Sequence, residues 1–131
     1  IESATTPVIS AQCLRVACSD GHMAAASVKF KNKPSKEVMI ERWNNFKGRA
    51  QELNLPSAPE HYLTYFEEDN RPQTKLDRNL ENGMGVSIGR LREDTIFDYK
   101  FVSLSHNTLR GAAGGAVLMA ELLCAEGYMD R

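Results

Sequence analysis

No stretch of this chain approaches the ~18 uncharged apolar residues of a membrane span, and no basic–apolar–small-residue leader opens it. A membrane partner is therefore not expected. Charge of one sign is also lacking: 16 basic against 17 acidic residues leave a net charge of −1. That balance argues against a protein that holds nucleic acid through its phosphates, which takes many unpaired Lys and Arg. Cysteine is scarce, with only Cys13, Cys18 and Cys124 and no Cys-x-x-Cys. Three thiols cannot all pair internally, so a reducing, cytoplasmic setting is expected. His61 and His106 stand at no metal-ligand spacing from any cysteine, so no metal site is expected. What remains is 131 residues, 42% hydrophobic and 25% charged, the profile of one soluble domain. A chain of this size can bury roughly 68–70% of its extended surface and needs no staples.

Val8 to Cys18 reads as a strand, with Val8, Cys13, Leu14, Val16 and Cys18 among short polar residues. Ser19-Asp20-Gly21 is a turn signal. Between His22 and Lys31 the period is 2, with Ala24, Ala26, Val28 and Phe30 on one face of a second strand. Ser35 then caps a predicted helix over 35–53, in which Val38, Met39, Trp43, Phe46, Ala50 and Leu53 recur at helical spacing and Gly48 is a weak point. A short aromatic strand is expected over 61–67, followed by an irregular stretch from Asp69 to Gly83. Strands over 84–92 and 96–104 form a hairpin, the latter with Phe97, Tyr99 and Phe101 on one face. The last element, over 107–126, is a helix apolar on most sides, with a bare start at Gly111–Ala116 and a terminating Gly127. This order predicts an α+β fold, a mixed or mostly antiparallel sheet covered by helices. The first residue is Ile1 rather than Met, so the chain is expected to be a piece of something larger.

Arg15 and His22 flank the Ser19-Asp20-Gly21 turn. A guanidinium grips a carboxylate through two parallel charge-assisted hydrogen bonds, and an imidazole is the side chain suited to moving a proton near neutrality. By themselves the two residues are a weak signal, equally a surface Arg and a turn-closing His. The cysteines read as core residues. Neither Gly83-Met84-Gly85 with Gly89 nor Gly111 to Gly115 has the Gly-x-Gly-x-x-Gly spacing of a dinucleotide turn. Arg71, Lys75, Arg78, Arg90 and Arg92 are interspersed with acids and read as a solvated surface.

Several motifs in register are more specific than any of these. Ile9-Ser10-Ala11-Gln12-Cys13-Leu14-Arg15-Val16, Ser19-Asp20-Gly21-His22, Lys29 to Pro34, Asp69-Asn70-Arg71-Pro72-Gln73, Leu76-Asp77-Arg78, Gly89 to Asp94, Leu104-Ser105-His106-Asn107-Thr108 and Gly111-Ala112-Ala113-Gly114 follow in order. Together they resemble aspartate-semialdehyde dehydrogenases of the fungal and archaeal-like branch, over the C-terminal catalytic and dimerisation portion only. The resemblance implies NADP-dependent interconversion of L-aspartyl 4-phosphate and L-aspartate 4-semialdehyde through a cysteine thioacyl intermediate. That step belongs to lysine, methionine and threonine biosynthesis. It also implies Arg15 as the clamp on the substrate carboxylate, His22 as the catalytic acid/base and Asn107 as a contact to the nicotinamide end of NADP. The nucleophilic cysteine and the Rossmann domain fall upstream of residue 1. Residues 1–106 would then be a substrate-binding and dimerisation domain, and 107–131 a helix returning to the absent Rossmann domain. A homo-oligomeric parent, dimer or tetramer, follows, with this chain alone inactive. The alternatives are a non-catalytic oligomerisation module and a related acyl-phosphate reductase such as N-acetyl-glutamyl-phosphate reductase.

Overall fold

A computed structural model describes residues 6–129. Four strands form one mixed sheet in the order β1-β4-β3-β2. The strands are β1 (His22–Val28), β2 (Leu63–Phe66), β3 (Val86–Glu93) and β4 (Tyr99–Ser105). β4 runs antiparallel to both β1 and β3, while β2 is parallel to β3. The α+β expectation holds, as does the mixed sheet. The helices are α1 (Lys36–Asn44), α2 (Arg49–Glu52), α3 (Thr74–Asp77) and α4 (Gly114–Ala125).

Alternation along the strands decides what the helices cover. Val28, Tyr99 and Phe101 share one sheet face, and α1 lays Met39, Ile40 and Trp43 on it. Trp43 packs between Tyr65 at 5.9 Å and Phe101 at 5.0 Å, centroid to centroid. Further along, Ala50 of α2 and Leu118 of α4 close on Tyr62 and Met84. The opposite face holds Leu104 and Ser87, both fully buried. Their cover is the irregular stretch after β2: the Ser87 hydroxyl donates to the Asp77 carbonyl. The β2 edge is blunted, because the Tyr65 N–H donates to Asn44 Oδ1 at 2.9 Å.

Ser35 caps α1 as its sequence position predicts, its hydroxyl accepting from the Val38 N–H. The single helix expected over 35–53 is instead two. α1 ends at Asn44 and Gly48, in an extended conformation, is the N-cap of α2; the Tyr62 ring packs against it, so that a Cβ there would stand 3.1 Å from the ring. The strand expected over Val8–Cys18 is not formed. That segment is irregular, with Val8, Ile9, Leu14 and Val16 between 72% and 93% exposed, because no strand among the described residues pairs with it. Cys13 and Cys18, read as core residues, are accordingly exposed. Phe97 lies outside β4 and is partly exposed in the β3–β4 connection. α4 buries only Leu118, leaving Val117 and Met119 about half exposed, where the sequence suggested burial on most sides. It meets α2 along one stripe, tied there by an Arg49–Glu126 ion pair at 2.6 Å.

Arg71 is another departure. Rather than lying on a solvated surface, its guanidinium makes a two-pronged ion pair with the buried Asp77 carboxylate, Nε to Oδ2 at 2.8 Å and Nη2 to Oδ1. Asp77 also accepts from the Gln73 N–H at 2.7 Å. The hydrogen bonds to Asp77 hold the Arg71 guanidinium above its ordinary pKa. This pairing fixes the stretch that covers Ser87.

Candidate functional site

The first strand begins immediately after a pinned turn. Gly21 is buried with φ +104°, a conformation that favours glycine, and a Cβ there would meet Leu104 Cδ1 at 3.1 Å and Thr74 Cγ2 at 3.2 Å. Its N–H donates to Asn107 Oδ1 at 2.9 Å, its carbonyl accepts from the Cys18 thiol at 3.7 Å, and the neighbouring Ser19 hydroxyl accepts from Arg78 Nη1 at 3.0 Å. His22 follows, exposed, opposite Ser105 in the β1–β4 register. The sheet therefore brings His22 and Asn107 to one end of the same strand pair.

Arg15 sits on the exposed irregular arm, seven positions before His22. None of the hydrogen bonds or ion pairs among the described residues reaches it. His22 and Asn107 thus lie at one end of the β1–β4 pair, and Arg15 lies on the irregular segment that leads into the same turn.

His106 was isolated in sequence and is buried in the structure. Its Nδ1 accepts from the N–H groups of Thr108 at 3.2 Å and Leu109 at 3.3 Å, so it caps a π-helical turn over Leu109–Ala113 that opens α4. An Nδ1 that accepts two N–H bonds carries no proton, which places the ring proton on Nε2. The signal in the sequence was a polar Ser-His-Asn-Thr run directly before a bare helix start. In that turn Gly111 N–H donates to the His106 carbonyl and Ala113 N–H to Thr108, so these amides are spent internally rather than left for an anion. Bare surface does remain, with Gly111, Ala112 and Ala113 exposed and nothing nearer than 3.5 Å to a Cβ on Gly111.

A separate groove of about 430 Å³ runs between α2, β2 and α4, lined by Phe46, Tyr62, Val86, Leu118 and Leu122. Arg110 stacks its guanidinium over the Tyr62 ring there at 4.7 Å. Among the described residues there is no cluster of His, Cys, Asp and Glu able to hold a metal ion, and no helix long and apolar enough to cross a membrane.

Residues 1–110 match the model of the semialdehyde dehydrogenase, dimerisation domain, family. The chain belongs to this family. An aspartate-semialdehyde dehydrogenase of Schizosaccharomyces pombe is 48% identical over 95% of this chain. A malonyl CoA reductase (NADP) of Metallosphaera sedula is 45% identical over 89% of it. Among solved structures, the aspartate semialdehyde dehydrogenase of Candida albicans with NADP superimposes with a TM-score of 0.75 at 38% identity, over 84% of this chain and 31% of that one. The semialdehyde dehydrogenase dimerisation segment seen here spans 36% and 33% of the length of these two curated relatives.

Proposed function

We propose that this chain is the substrate-gripping and dimerisation part of an NADP-dependent aspartate-semialdehyde dehydrogenase of amino-acid biosynthesis, acting in the cytoplasm. The observation that carries the proposal is the 48% identity to the fission yeast enzyme across nearly the whole chain. In the biosynthetic direction, L-aspartyl 4-phosphate, NADPH and a proton give L-aspartate 4-semialdehyde, phosphate and NADP. Residues 1–106 form the substrate and dimerisation domain, and 107–131 return to a dinucleotide-binding domain.

Arg15 binds the substrate carboxylate with its planar fork. At the mouth of β1, His22 takes the proton of the sulfur nucleophile and returns it to the reacting oxygen or leaving group. That sulfur lies outside this chain. NADP supplies hydride exchange when bound. The residues present fit only its nicotinamide end: Gly111, Ala112 and Ala113 leave open surface, and Asn107 keeps an amino group to donate. The diphosphate has no cradle here, since amides at the start of the bare turn are spent internally. A homo-oligomer is supported by the family name and by four apolar side chains, Val8, Ile9, Leu14 and Val16, that nothing described covers.

A second reading is favoured by one observation, the 45% identity to a malonyl CoA reductase. A malonyl group also carries a free carboxylate, so an Arg15 clamp would serve either substrate. The deciding experiment is steady-state turnover by the full-length enzyme. We expect NADP reduction with aspartate semialdehyde and phosphate, and no NADPH oxidation with malonyl-CoA or N-acetyl-glutamyl phosphate. Activity only with malonyl-CoA or N-acetyl-glutamyl phosphate would replace the first reading. The 131-residue chain alone should turn over none of them.

A further inference from the structure

We propose that Asn107 is a positioning residue for the turn that carries His22, an inference that rests on the acid/base reading of His22. The argument starts from the ladder between β1 and β4. His22 stands opposite Ser105, so one more antiparallel step would place Gly21 opposite His106. That step is closed, because the His106 carbonyl and Nδ1 are both committed to the start of the helical turn that follows. The buried Gly21 N–H needs another acceptor, since an unpaired buried amide is costly. Asn107 Oδ1 provides it at 2.9 Å from 86 positions along the chain. The side-chain carboxamide completes a ladder that the backbone has abandoned.

Two consequences follow. Gly21 directly precedes His22, so this bond fixes the backbone from which the imidazole projects. It also settles which way the Asn107 amide faces: Oδ1 is turned toward the Gly21 N–H, so Nδ2 is turned the other way, and the ligand group its N–H donors suit is a carbonyl oxygen. One side chain thus serves the catalytic turn with its oxygen and a ligand with its nitrogen. Arg78 also holds the turn through the Ser19 hydroxyl and Thr74 lies beside Gly21, so Asn107 governs its fine placement rather than its existence. A displacement of about 1 Å in a catalytic group can cost on the order of a hundredfold in rate.

The test uses the full-length enzyme and three variants: Asn107→Ala, Asn107→Asp and His22→Gln. Aspartate keeps the acceptor and loses the donor, so it separates the two roles. Readouts are hydrogen exchange at the Gly21 amide, kcat, and KM for NADP. For Asn107→Ala we expect Gly21 exchange faster by about tenfold or more and kcat lower by roughly 10- to 100-fold. Asn107→Asp should keep the slow exchange and lose less kcat than Asn107→Ala, with KM for NADP still raised. Wild-type exchange and kcat in Asn107→Ala, with only KM raised, would overturn the proposal; so would equal loss of exchange protection and kcat in both Asn107 variants. His22→Gln separates this proposal from its premise. If it retains wild-type kcat, the acid/base reading falls and the catalytic consequence for Asn107 falls with it, while the exchange data still decide the hydrogen bond. If it loses kcat and Asn107→Ala does not, positioning alone is refuted.

Discussion

Leu104→Ala is the sharpest probe of how the sheet supports the turn before His22. Leu104 is 1% exposed, lies in β4 opposite Met23 and Ser87, and forms the floor on which Gly21 rests. Truncation removes the transfer free energy of the deleted carbons and leaves a cavity whose cost depends on how far its walls collapse. Beside Leu104 lie the completely buried Ser87 of the neighbouring strand and the Gly21 turn, whose N–H is held by Asn107, so little large side-chain mass is at hand to refill the space. The expected loss is about 3–4 kcal/mol, in the upper part of the range for buried leucines. Leu104→Met keeps the volume and should cost less than about 1.5 kcal/mol. Urea unfolding reads both as a shift in midpoint at constant slope. A loss below about 1 kcal/mol for Leu104→Ala, or equal losses for the two variants, would refute the reasoning that this face is rigidly packed.

Gly89→Ala should destabilise the fold by about 1–3 kcal/mol, because the new Cβ would lie 2.5 Å from the Arg71 carbonyl oxygen, in a segment held by the Arg71–Asp77 pair; an unchanged urea midpoint would contradict it. The carboxyl of Asp94 is held below its ordinary value by hydrogen bonds from the Ile96 and then the Phe97 N–H, with Lys100 assisting. A depressed folded value gives stability that is present above the unfolded carboxylate value, about 4, and lost as pH falls through the folded one. Between pH 6 and pH 3 the wild-type Tm should therefore fall more than that of Asp94→Ala, and parallel curves would exclude the effect. Arg15→Lys in the full-length enzyme should raise KM for aspartate semialdehyde by about tenfold or more, since an ammonium cannot reproduce the bidentate fork; wild-type kinetics would remove Arg15 from the site.

Where structure is local, the residues announced it. The alternation through Ala24, Ala26 and Val28 marked β1, Tyr99 and Phe101 marked the covered face of β4, and Ser35 marked the start of α1. Misreadings arose where a distant partner decides. Val8 to Cys18 carries strand-forming residues, but a strand needs a neighbour and none of the described strands offers one. The helical spacing over 35–53 runs across an interruption at 45–48, and the ring that packs on Gly48, Tyr62, comes from 14 positions later. Arg71 looked solvated because its partner, Asp77, is reached only by a fold in the irregular stretch. The candidate site shows the same division. The turn before His22 was legible from Ser19-Asp20-Gly21, and Arg15 and His22 beside it were only a weak pair; their assignment, and that of Asn107, came from motif resemblance. The Gly21–Asn107 bond joins two ends of the chain and has no signature in either segment alone.

The most direct test of the account is the kcat of His22→Gln in the full-length enzyme, measured as phosphate-dependent NADP reduction with aspartate semialdehyde. A proton-transferring imidazole predicts a fall of about a hundredfold or more with little change in KM. A kcat within about threefold of wild type would contradict the claim that this turn carries the catalytic acid/base.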